Sequence, residues 1–351
     1  MMRTVGLLIT CVGGATMRSL LRSLRGSDNF NYILIGVDST SAGNTDDLLD
    51  AYYKVPRGNH SEYVEKLLEI ALKEKVEFIL PGSDEEAISI SKKIGMFNKV
   101  GIEAVVSGID VLELISNKVE TYKLLSIHGM KTPEYEVISS VKELKVALNK
   151  YRYPKKTVIS KPSNGRGGRG LYVFEGMDTP PSWLGSGKRE TRVSKNDITD
   201  DLLKNAVQGE CLVMPMLTAP AYDVDVMAVK GDVVAIVVRK RINPSGIPFH
   251  GNEILCNKAI EKYCKAMAKI LNLDGLHDID LMTDDEGNAC IIEVNPRPSG
   301  SMAASLIAGF PMVDVAISSL LKQEIPSVNI KDDITVLPGN DNMMRVAHEK
   351  N

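Results

Sequence analysis

Three polar residues at alternate positions follow an apolar run towards the end of the chain. The segment ACIIEVNPRPSGS, residues 289–301, places Glu293, Asn295 and Arg297 two residues apart. Because successive side chains of a strand point to opposite faces, these three would share one face. Glu and Asn supply the hard oxygen atoms that Mg²⁺ binds, and Arg supplies a planar fork for a phosphate or carboxylate. The spacing predicts a metal and phosphate site; an exposed edge strand, which would suit the two prolines, is the alternative.

A second candidate for anion binding lies in the middle of the chain. The segment VISKPSNGRGGRGLYVF, residues 158–174, has a lysine at the end of one apolar run, then a loop of glycines and arginines, then another apolar run. This strand–loop–strand pattern differs from a P-loop, which leads into a helix and ends in Gly-Lys-Ser/Thr. Glycines let a backbone close over phosphates, and the basic side chains supply positive charge. A solvated surface hairpin is the alternative, but Lys161 precedes the loop and would lie beneath whatever the loop covers.

The first third of the chain alternates short apolar runs with helical patterns. Apolar runs at residues 5–9, 32–38 and 76–80 are separated by segments with helical spacing, such as EYVEKLLEIALKEK at 62–75. This alternation predicts a parallel, doubly wound, Rossmann-like sheet. The glycine turn TCVGGAT and the later Asp38 raise the alternative of a nicotinamide site, although the turn lacks the full G-x-G-x-x-G spacing. Glycines required only for tight strand-to-helix packing are the simpler interpretation.

The amino-acid composition limits the classes of protein to which this chain could belong. The chain has 351 residues, 44% hydrophobic and 25% charged, with a formal net charge of −3. These values are typical of a globular protein with two or three domains and give no reason to expect nucleic-acid binding. No apolar run approaches the ~20 residues of a membrane helix, so we expect no membrane association. Five scattered cysteines indicate neither a disulfide framework nor a zinc site and favour a reducing, cytoplasmic setting. They are Cys11, Cys211, Cys256, Cys264 and Cys290.

Five motifs in this order resemble those of the ATP-grasp superfamily, in its carbamoyl-phosphate-synthetase-like branch of carboxylate–amine ligases. The resemblance runs from about residue 5 to residue 321. The motifs are ILPGSDEEA, SNKVETYKLLSIHGMKTPEY, KPSNGRGGRG, CLVMPMLTAPAYDVDVMAV and DGLHDIDLMTDDEGNACIIEVNPRPSGSM. The implied fold is a Rossmann-like α/β domain, residues 1–115, followed by a two-subdomain ATP-grasp fold, residues 116–325. The first subdomain would span 118–212 and the second 213–325, and the tail, 326–351, would pack back or fray.

The resemblance also implies roles for individual residues, with ATP and Mg²⁺ as cofactors and Mn²⁺ as an alternative ion. Lys118 and Lys161 would bind nucleotide phosphates, and Arg297 would contact the transferring phosphate. Asp278, two residues before a metal ligand, would hydrogen-bond the ligand set. The metal ligands would be Asp280, Glu293 and Asn295. The glycine lid would include Gly165, Gly167 and Gly168, and the hinge strand against which adenine lies would include Met214, Met216 and Leu217.

Three positions depart from the family pattern. Two acidic positions of the hinge are occupied by Met214 and Ala221, and Asn117 replaces the usual Asp before Lys118. The ribose contact would then move to Asp223 or be lost.

The reaction implied by the resemblance is ligation through an acyl phosphate. A substrate carboxylate would attack the γ-phosphate of ATP, and an amine or related nucleophile would then displace phosphate. Arg239 and Arg241, on one strand face, would hold the carboxylate or the acyl phosphate because arginine forks match planar oxyanions. A solvated basic strand is the alternative for these two residues, and His250 has no expected role.

Other functions remain open at this point. A non-catalytic nucleotide-binding protein is the main alternative, motivated by Met214 and Ala221. A biotin-dependent carboxylase would share the nucleotide fold, but nothing resembles a biotin carrier segment. The expected partners are small carboxylate and amine substrates, and a homodimer is allowed for. Residues 163–170 and 176–197 should be the most mobile parts without nucleotide, because their composition offers few apolar contacts.

Overall fold

A computed structural model describes residues 2–14, 16–165, 168–179, 190–243, 250–338 and 344–349. Their strands form three sheets, one of them parallel and two largely antiparallel. Among the described residues, none of the helices has the length and apolar composition needed to cross a membrane.

The amino-terminal sheet is parallel, with strand order β3-β2-β1-β4-β5. Helices cover it and follow its strands, which confirms the doubly wound fold predicted from the alternating sequence pattern. The order reverses between β1 and β4, so the connections that follow these two strands leave in opposite directions and create a switch point. The strands are β1 (Arg3–Thr10), β2 (Phe30–Asp38), β3 (Ala51–Lys54), β4 (Phe78–Leu80) and β5 (Glu103–Ala104), and the helices are α1 (Met17–Arg25), α2 (Tyr63–Lys73), α3 (Asp84–Lys92), α4 (Ile94–Asn98) and α5 (Ile109–Ser116).

The second sheet contains the glycine-rich segment. Its central strands flank this segment as an antiparallel pair, which confirms the strand–loop–strand prediction. The strands are β6 (Glu136–Ile138), β7 (Val158–Pro162), β8 (Tyr172–Phe174), β9 (Thr191–Val193) and β10 (Cys211–Pro215), in the order β6-β10-β7-β8-β9. The helices are α6 (Lys118–Ile127), α7 (Val141–Lys150) and α8 (Asp200–Asn205). β9 lies inside the polar stretch 176–197, where the sequence predicted only mobility.

The third sheet has seven strands in the order β15-β14-β11-β12-β13-β16-β17. These are β11 (Thr218–Val229), β12 (Asp232–Arg241), β13 (Asn252–Leu255), β14 (Gly275–Thr283), β15 (Ala289–Asn295), β16 (Ile334–Pro338) and β17 (Met344–Glu349), and the helices are α9 (Lys258–Leu271), α10 (Ala303–Ile307) and α11 (Met312–Leu320). The tail packs back, because β16 pairs with β13 and buries Ile334 and Val336. The domain boundaries given above stay a prediction.

One apolar core joins the amino-terminal domain to the third sheet. Leu7 and Leu34 of the parallel sheet belong to the same buried cluster as Val315 of α11 and Met227 of β11. Removing this apolar surface from water holds the two units against each other. Asp314 adds polar contacts, since it accepts hydrogen bonds from the side chains of Ser27, Asn29 and Tyr32.

Candidate active site

A cleft of about 210 Å³ opens between the second and third sheets, at the strand connection after β10. Its floor is mostly apolar, as a site for a planar base would be. Met214, Met216 and Leu217 line it, as the resemblance implied, together with Ile159, Leu171, Val173, Met282 and Ile292.

Lys118 lies at the polar end of this cleft, at the start of α6. The side chain of Asn117 caps this helix by accepting hydrogen bonds from the backbone N–H groups of Val119 and Glu120, at 2.9 and 3.2 Å. Asn and Asp both cap helices well, so the replacement of Asp preserves the local structure. The Lys118 Nζ lies 3.1 Å from Glu293 Oε2 and donates to the Gly165 carbonyl.

Lys161 lies on β7, next to Lys118 and almost fully buried. Its Nζ donates a hydrogen bond to the Tyr122 hydroxyl at 3.3 Å, and that hydroxyl donates to the Ile292 carbonyl at 2.7 Å. Burial, reinforced by the positive charge of Lys118, lowers the pKa of Lys161 to about 7. An anion in the cleft would restore the charged form, because an opposite charge offsets the cost of burying an ammonium group.

The glycine-rich loop reaches the cleft. Gly165 and Gly168 line it, and Gly168 and Gly170 have φ values of 73° and 72°, which favour glycine. Arg166 and Gly167 lie outside the described residues, as do residues 180–189 of the polar stretch, so the mobility of both segments stays a prediction.

Strands β14 and β15 bring the predicted metal ligands together. Asp280 lies opposite Glu293 and Asp278 lies opposite Asn295 in the antiparallel register. The Asn295 amide nitrogen donates to Asp278 at 3.2 Å, as the position of Asp278 suggested, so the amide oxygen is the atom left for a cation. Asp280 and Glu293 each retain some exposure, 17% and 16% of the side chain. These three oxygen donors fit Mg²⁺ or Mn²⁺.

A buried acidic group lies beside these residues. Asp223, Asp278 and Asp280 each offer an oxygen within 4.8 Å of the others. Burial and the neighbouring charges of Asp223 and Asp225 raise the pKa of Asp278 to about 7. Burial and the charge of Asp278 likewise raise the pKa of Asp280 well above its usual value.

Arg241 lies between this acidic group and the cleft. Its Nε donates to both oxygens of Asp223, at 2.9 and 3.0 Å, and its Nη2 donates to Asp280 at 3.0 Å. Burial alone would raise the pKa of Asp223, but Arg241 and Arg239 together lower it to about 2. Asp223 is fully buried behind Arg241 and does not line the cleft, so the structure does not bring it to the expected ribose position.

Arg239 shares a strand face with Arg241 but has no exposed surface. Its Nε lies 3.0 Å from Asp225, and its Nη atoms lie 3.7 Å from Asp223 and Asp278. It also donates to the Ser301 hydroxyl. This burial excludes the solvated basic strand as a description of Arg239. The acidic partners were missed in the sequence, although the alternating YDVDV of residues 222–226 was the available signal.

Arg297 points towards the amino-terminal domain. Its Nε donates to Asp84 at 3.0 Å, and its Nη1 approaches Asp278 at 3.4 Å and the Pro298 carbonyl at 3.0 Å. The sequence alone did not identify Asp84 as its partner. Together, Glu293, Asn295 and Arg297 face polar partners rather than open solvent, which argues against an exposed edge strand.

The glycine turn after β1 is closely packed. The Gly13 N–H donates to Asp38 at 3.1 Å, and a Cβ on Gly13 would lie 2.4 Å from the Ser41 carbonyl oxygen. Asp38 also accepts from the backbone and hydroxyl of Thr40. These contacts account for the glycine and the acid without a dinucleotide.

Two families match separate parts of the chain. One is described as "PylC-like, N-terminal domain" and matches residues 8–106. The other is described as "ATP-grasp in the biosynthetic pathway with Ter operon" and matches residues 208–341.

Curated relatives include carbamoyl-phosphate synthases. The protein from Methanobrevibacter smithii is 25% identical over 264 residues, covering 73% of this chain and 65% of the relative. The large chain from Clostridium acetobutylicum is 23% identical over 288 residues, covering 78% of this chain. This chain spans 25% of that relative, so it corresponds to only part of the larger protein.

Solved structures show the same fold. An ADP complex of N5-carboxyaminoimidazole ribonucleotide synthetase superimposes with a TM-score of 0.69 at 16% identity, over 96% of this chain and 81% of that one. An L-amino acid ligase from Bacillus licheniformis gives 0.67 at 15% identity, over 96% and 79%. Biotin carboxylase from Campylobacter jejuni gives 0.68 at 16% identity, over 94% and 74%. The chain therefore contains one segment, residues 8–106, that matches a PylC-like amino-terminal domain and another, residues 208–341, that matches an ATP-grasp domain, and it is similar to carbamoyl-phosphate synthases.

Proposed function

We propose that this protein is an ATP- and Mg²⁺-dependent ligase that activates a carboxylate as an acyl phosphate for attack by an amine or related nucleophile. The observation that carries the proposal is the juxtaposition of Lys118, Lys161 and Glu293 at the polar end of an apolar cleft. Lys118 and Lys161 supply positive charge opposite in sign to that of a triphosphate, and the apolar floor suits a purine base.

The chemistry requires positioning and charge balance rather than a covalent side chain. An oxygen of the substrate carboxylate attacks the γ-phosphorus, and the bond to the bridging oxygen of ADP breaks. The nucleophile then attacks the acyl carbon, and phosphate leaves with the electron pair of the carbon–oxygen bond. Lys118 and Lys161 neutralise charge on the phosphate oxygens during the first step.

Asp280, Glu293 and Asn295 would hold the cation. When bound, Mg²⁺ neutralises phosphate charge and polarises the phosphoryl oxygens. In this structure Glu293 pairs with Lys118, and Asp280 pairs with Arg241. Glu293 lines the cleft itself, and Asp280 is joined to it through Arg241, which also lines the cleft.

Arg241 is the arginine suited to contact the carboxylate or acyl phosphate, because it lines the cleft. Its fork is preorientated by Asp223 and Asp280, which limits the entropy lost when a planar oxyanion binds. Arg239 is suited to a different role, since it does not line the cleft and neutralises the charge of the buried aspartates.

A non-catalytic nucleotide-binding protein is the second candidate. It is favoured by the apolar residues Met214 and Ala221, both buried, at hinge positions where the resemblance led us to expect acids. A nucleotide held mainly by its phosphates and base would be consistent with either function.

Release of ADP from Mg·ATP, measured across a panel of carboxylic acids and amino acids, separates the two candidates. We expect release that depends on one class of carboxylate and rises further with an amine. Lys161→Met should abolish it, whereas Lys131→Met, which changes a half-exposed surface lysine, should not. Calorimetric binding of Mg·ADP without any stimulated ADP release would instead support the non-catalytic function.

A further inference from the structure

The guanidinium of Arg297 is oriented by a carboxylate from the other domain. Its Nε donates to Asp84 Oδ1 at 3.0 Å, closer than the 3.4 Å contact with the Asp278 carboxylate. Asp84 and Arg297 are mostly buried, with 12% and 22% of their side chains exposed. Charge-assisted hydrogen bonds of this kind are directional and are weakly screened when partly buried.

Asp84 is itself held in a rigid position. It is the first residue of α3, directly after the Ser83 cap, whose hydroxyl accepts from the Glu86 N–H. The preceding Gly82 donates to the Thr10 hydroxyl at 2.9 Å, and a Cβ on Gly82 would lie 2.4 Å from the Thr10 carbonyl oxygen. The turn that carries Asp84 is therefore packed tightly against the end of β1.

The amino-terminal domain also holds the backbone on either side of Arg297. Thr16 donates to the Gly300 carbonyl at 2.8 Å. Ser107 lies 2.9 Å from one ring nitrogen of His277, whose other nitrogen lies 3.2 Å from the Asn295 carbonyl. Segment 295–300 is thus fixed at both ends, with Asp84 setting the direction of the side chain between them.

Asp84 also lies near the proposed chemistry. It lines a second cavity at the domain junction together with Lys118, Glu293 and Asn295. Lys118 and Glu293 line the nucleotide cleft as well, so the two cavities meet at these two residues, beside the proposed phosphate position.

We propose that Asp84 is a positioning residue through which the amino-terminal domain aims Arg297 at the transferring phosphoryl group. This inference rests on the proposed function. Without the Asp84 charge, Arg297 would keep only Asp278 and its neighbouring Pro298 carbonyl as described partners. The guanidinium would then be free to turn towards the buried acids and away from the phosphate.

The test compares Asp84→Asn with two other variants. Asp84→Glu restores the charge on a longer side chain. Asp314→Asn removes a buried aspartate that also crosses the domain junction, through Ser27, Asn29 and Tyr32, but lies outside the proposed active site. Binding of Mg·ADP alone, and of Mg·ADP with aluminium fluoride as a mimic of the transferring phosphoryl group, is measured by calorimetry.

We expect Asp84→Asn to bind Mg·ADP like the wild type but to bind the aluminium fluoride complex about 10- to 100-fold more weakly, the usual cost of losing a residue that orients a functional group. Asp84→Glu should recover part of this loss. Asp314→Asn should lower the melting temperature and leave both affinities unchanged.

Equal binding of the aluminium fluoride complex by Asp84→Asn and the wild type would overturn this inference but would not affect the proposed function. An equal loss in Asp314→Asn would do the same, since domain docking in general would then explain the effect. Failure of the wild type to bind Mg·ADP would overturn the proposed function, and the inference with it.

Discussion

Lys161 and Arg239, two of the cations that the sequence assigned to anion binding, have opposite electrostatic surroundings. Lys161 is buried with a neutral tyrosine hydroxyl as its described hydrogen-bond partner, and its pKa falls towards neutrality. Arg239 is buried among three aspartates, and their charges more than offset the effect of burial, so its pKa rises. Among the described residues, Lys161 therefore has no ion-pair partner, whereas Arg239 already has three.

This difference shows which cations are ready to receive a ligand. A buried cation without a counter-charge costs free energy, which a bound phosphate would recover. A buried cation that is already neutralised gives up its partners before it can bind anything else. Lys161 is thus suited to bind phosphate, whereas Arg239 is suited to keep the acidic residues in place. Lys118 and Arg241, which line the cleft and are paired with carboxylates, lie between these two cases.

Arg239→Ala should have the largest effect and would test the arginine side of the comparison. Removing this cation leaves Asp223, Asp225 and Asp278 buried without their shared partner, and breaking a buried ion pair typically costs about 3–5 kcal/mol. Urea denaturation should show this loss in the free energy of unfolding. Arg3→Ala, which breaks the half-exposed pair with Glu77, is the control and should change stability little. A stable Arg239→Ala variant that loses only substrate affinity would instead make Arg239 a ligand-binding residue.

Glu293→Gln should have the next largest effect and concerns the carboxylate nearest the lysines. The change is nearly isosteric, so the fold should be kept, but the charge beside Lys118 and the proposed cation is lost. We expect ADP release to fall by about 10²- to 10³-fold, as when one preorganised catalytic contact is removed. Thermal melts with and without Mg·ATP, run beside the ADP assay, measure both effects.

The matched control is Glu253→Gln, which changes a glutamate paired with Lys240 on the same sheet but outside the cleft. Full activity in this variant and loss in Glu293→Gln would locate the effect at the cleft. Undiminished ADP release by Glu293→Gln would contradict the metal assignment.

Lys161 should give a smaller, pH-dependent effect on the binding of Mg·ADP, which tests the role of the buried lysine in this comparison. Its pKa is about 7 without ligand, and a bound phosphate should raise it. Binding of Mg·ADP at pH 8 should therefore take up close to one proton, and affinity should fall as the pH rises above 7. Calorimetry in buffers of different ionisation enthalpy measures the uptake. Lys161→Met should remove it, whereas uptake unchanged in that variant would assign the proton to another group.

Local sequence patterns predicted the parallel sheet and the strand–loop–strand segment, whereas the two-subdomain ATP-grasp fold came from the family resemblance. The alternation of apolar runs and helical spacing in the first third gave the parallel sheet, because period and turn residues act over short distances. Glu293 and Asn295 could be placed on one strand face from the period of two alone. The family resemblance supplied the roles of Lys118 and Lys161, which lie in separate motifs, and the pairing of Asp280 with Glu293 within one motif.

Tertiary structure decided which charges meet. The sequence places Arg239 and Arg241 on one strand face, but only the register between β11, β12 and β14 shows that Arg239 is enclosed by aspartates while Arg241 borders the cleft. The contact between Asp84 and Arg297 joins residues 213 positions apart and depends on how two domains pack. Side-chain spacing along a chain determines which face of a strand a residue occupies. The desolvation and pairing of a charge depend instead on neighbours from distant segments. The electrostatic surroundings of each cation were therefore decided only in the folded protein.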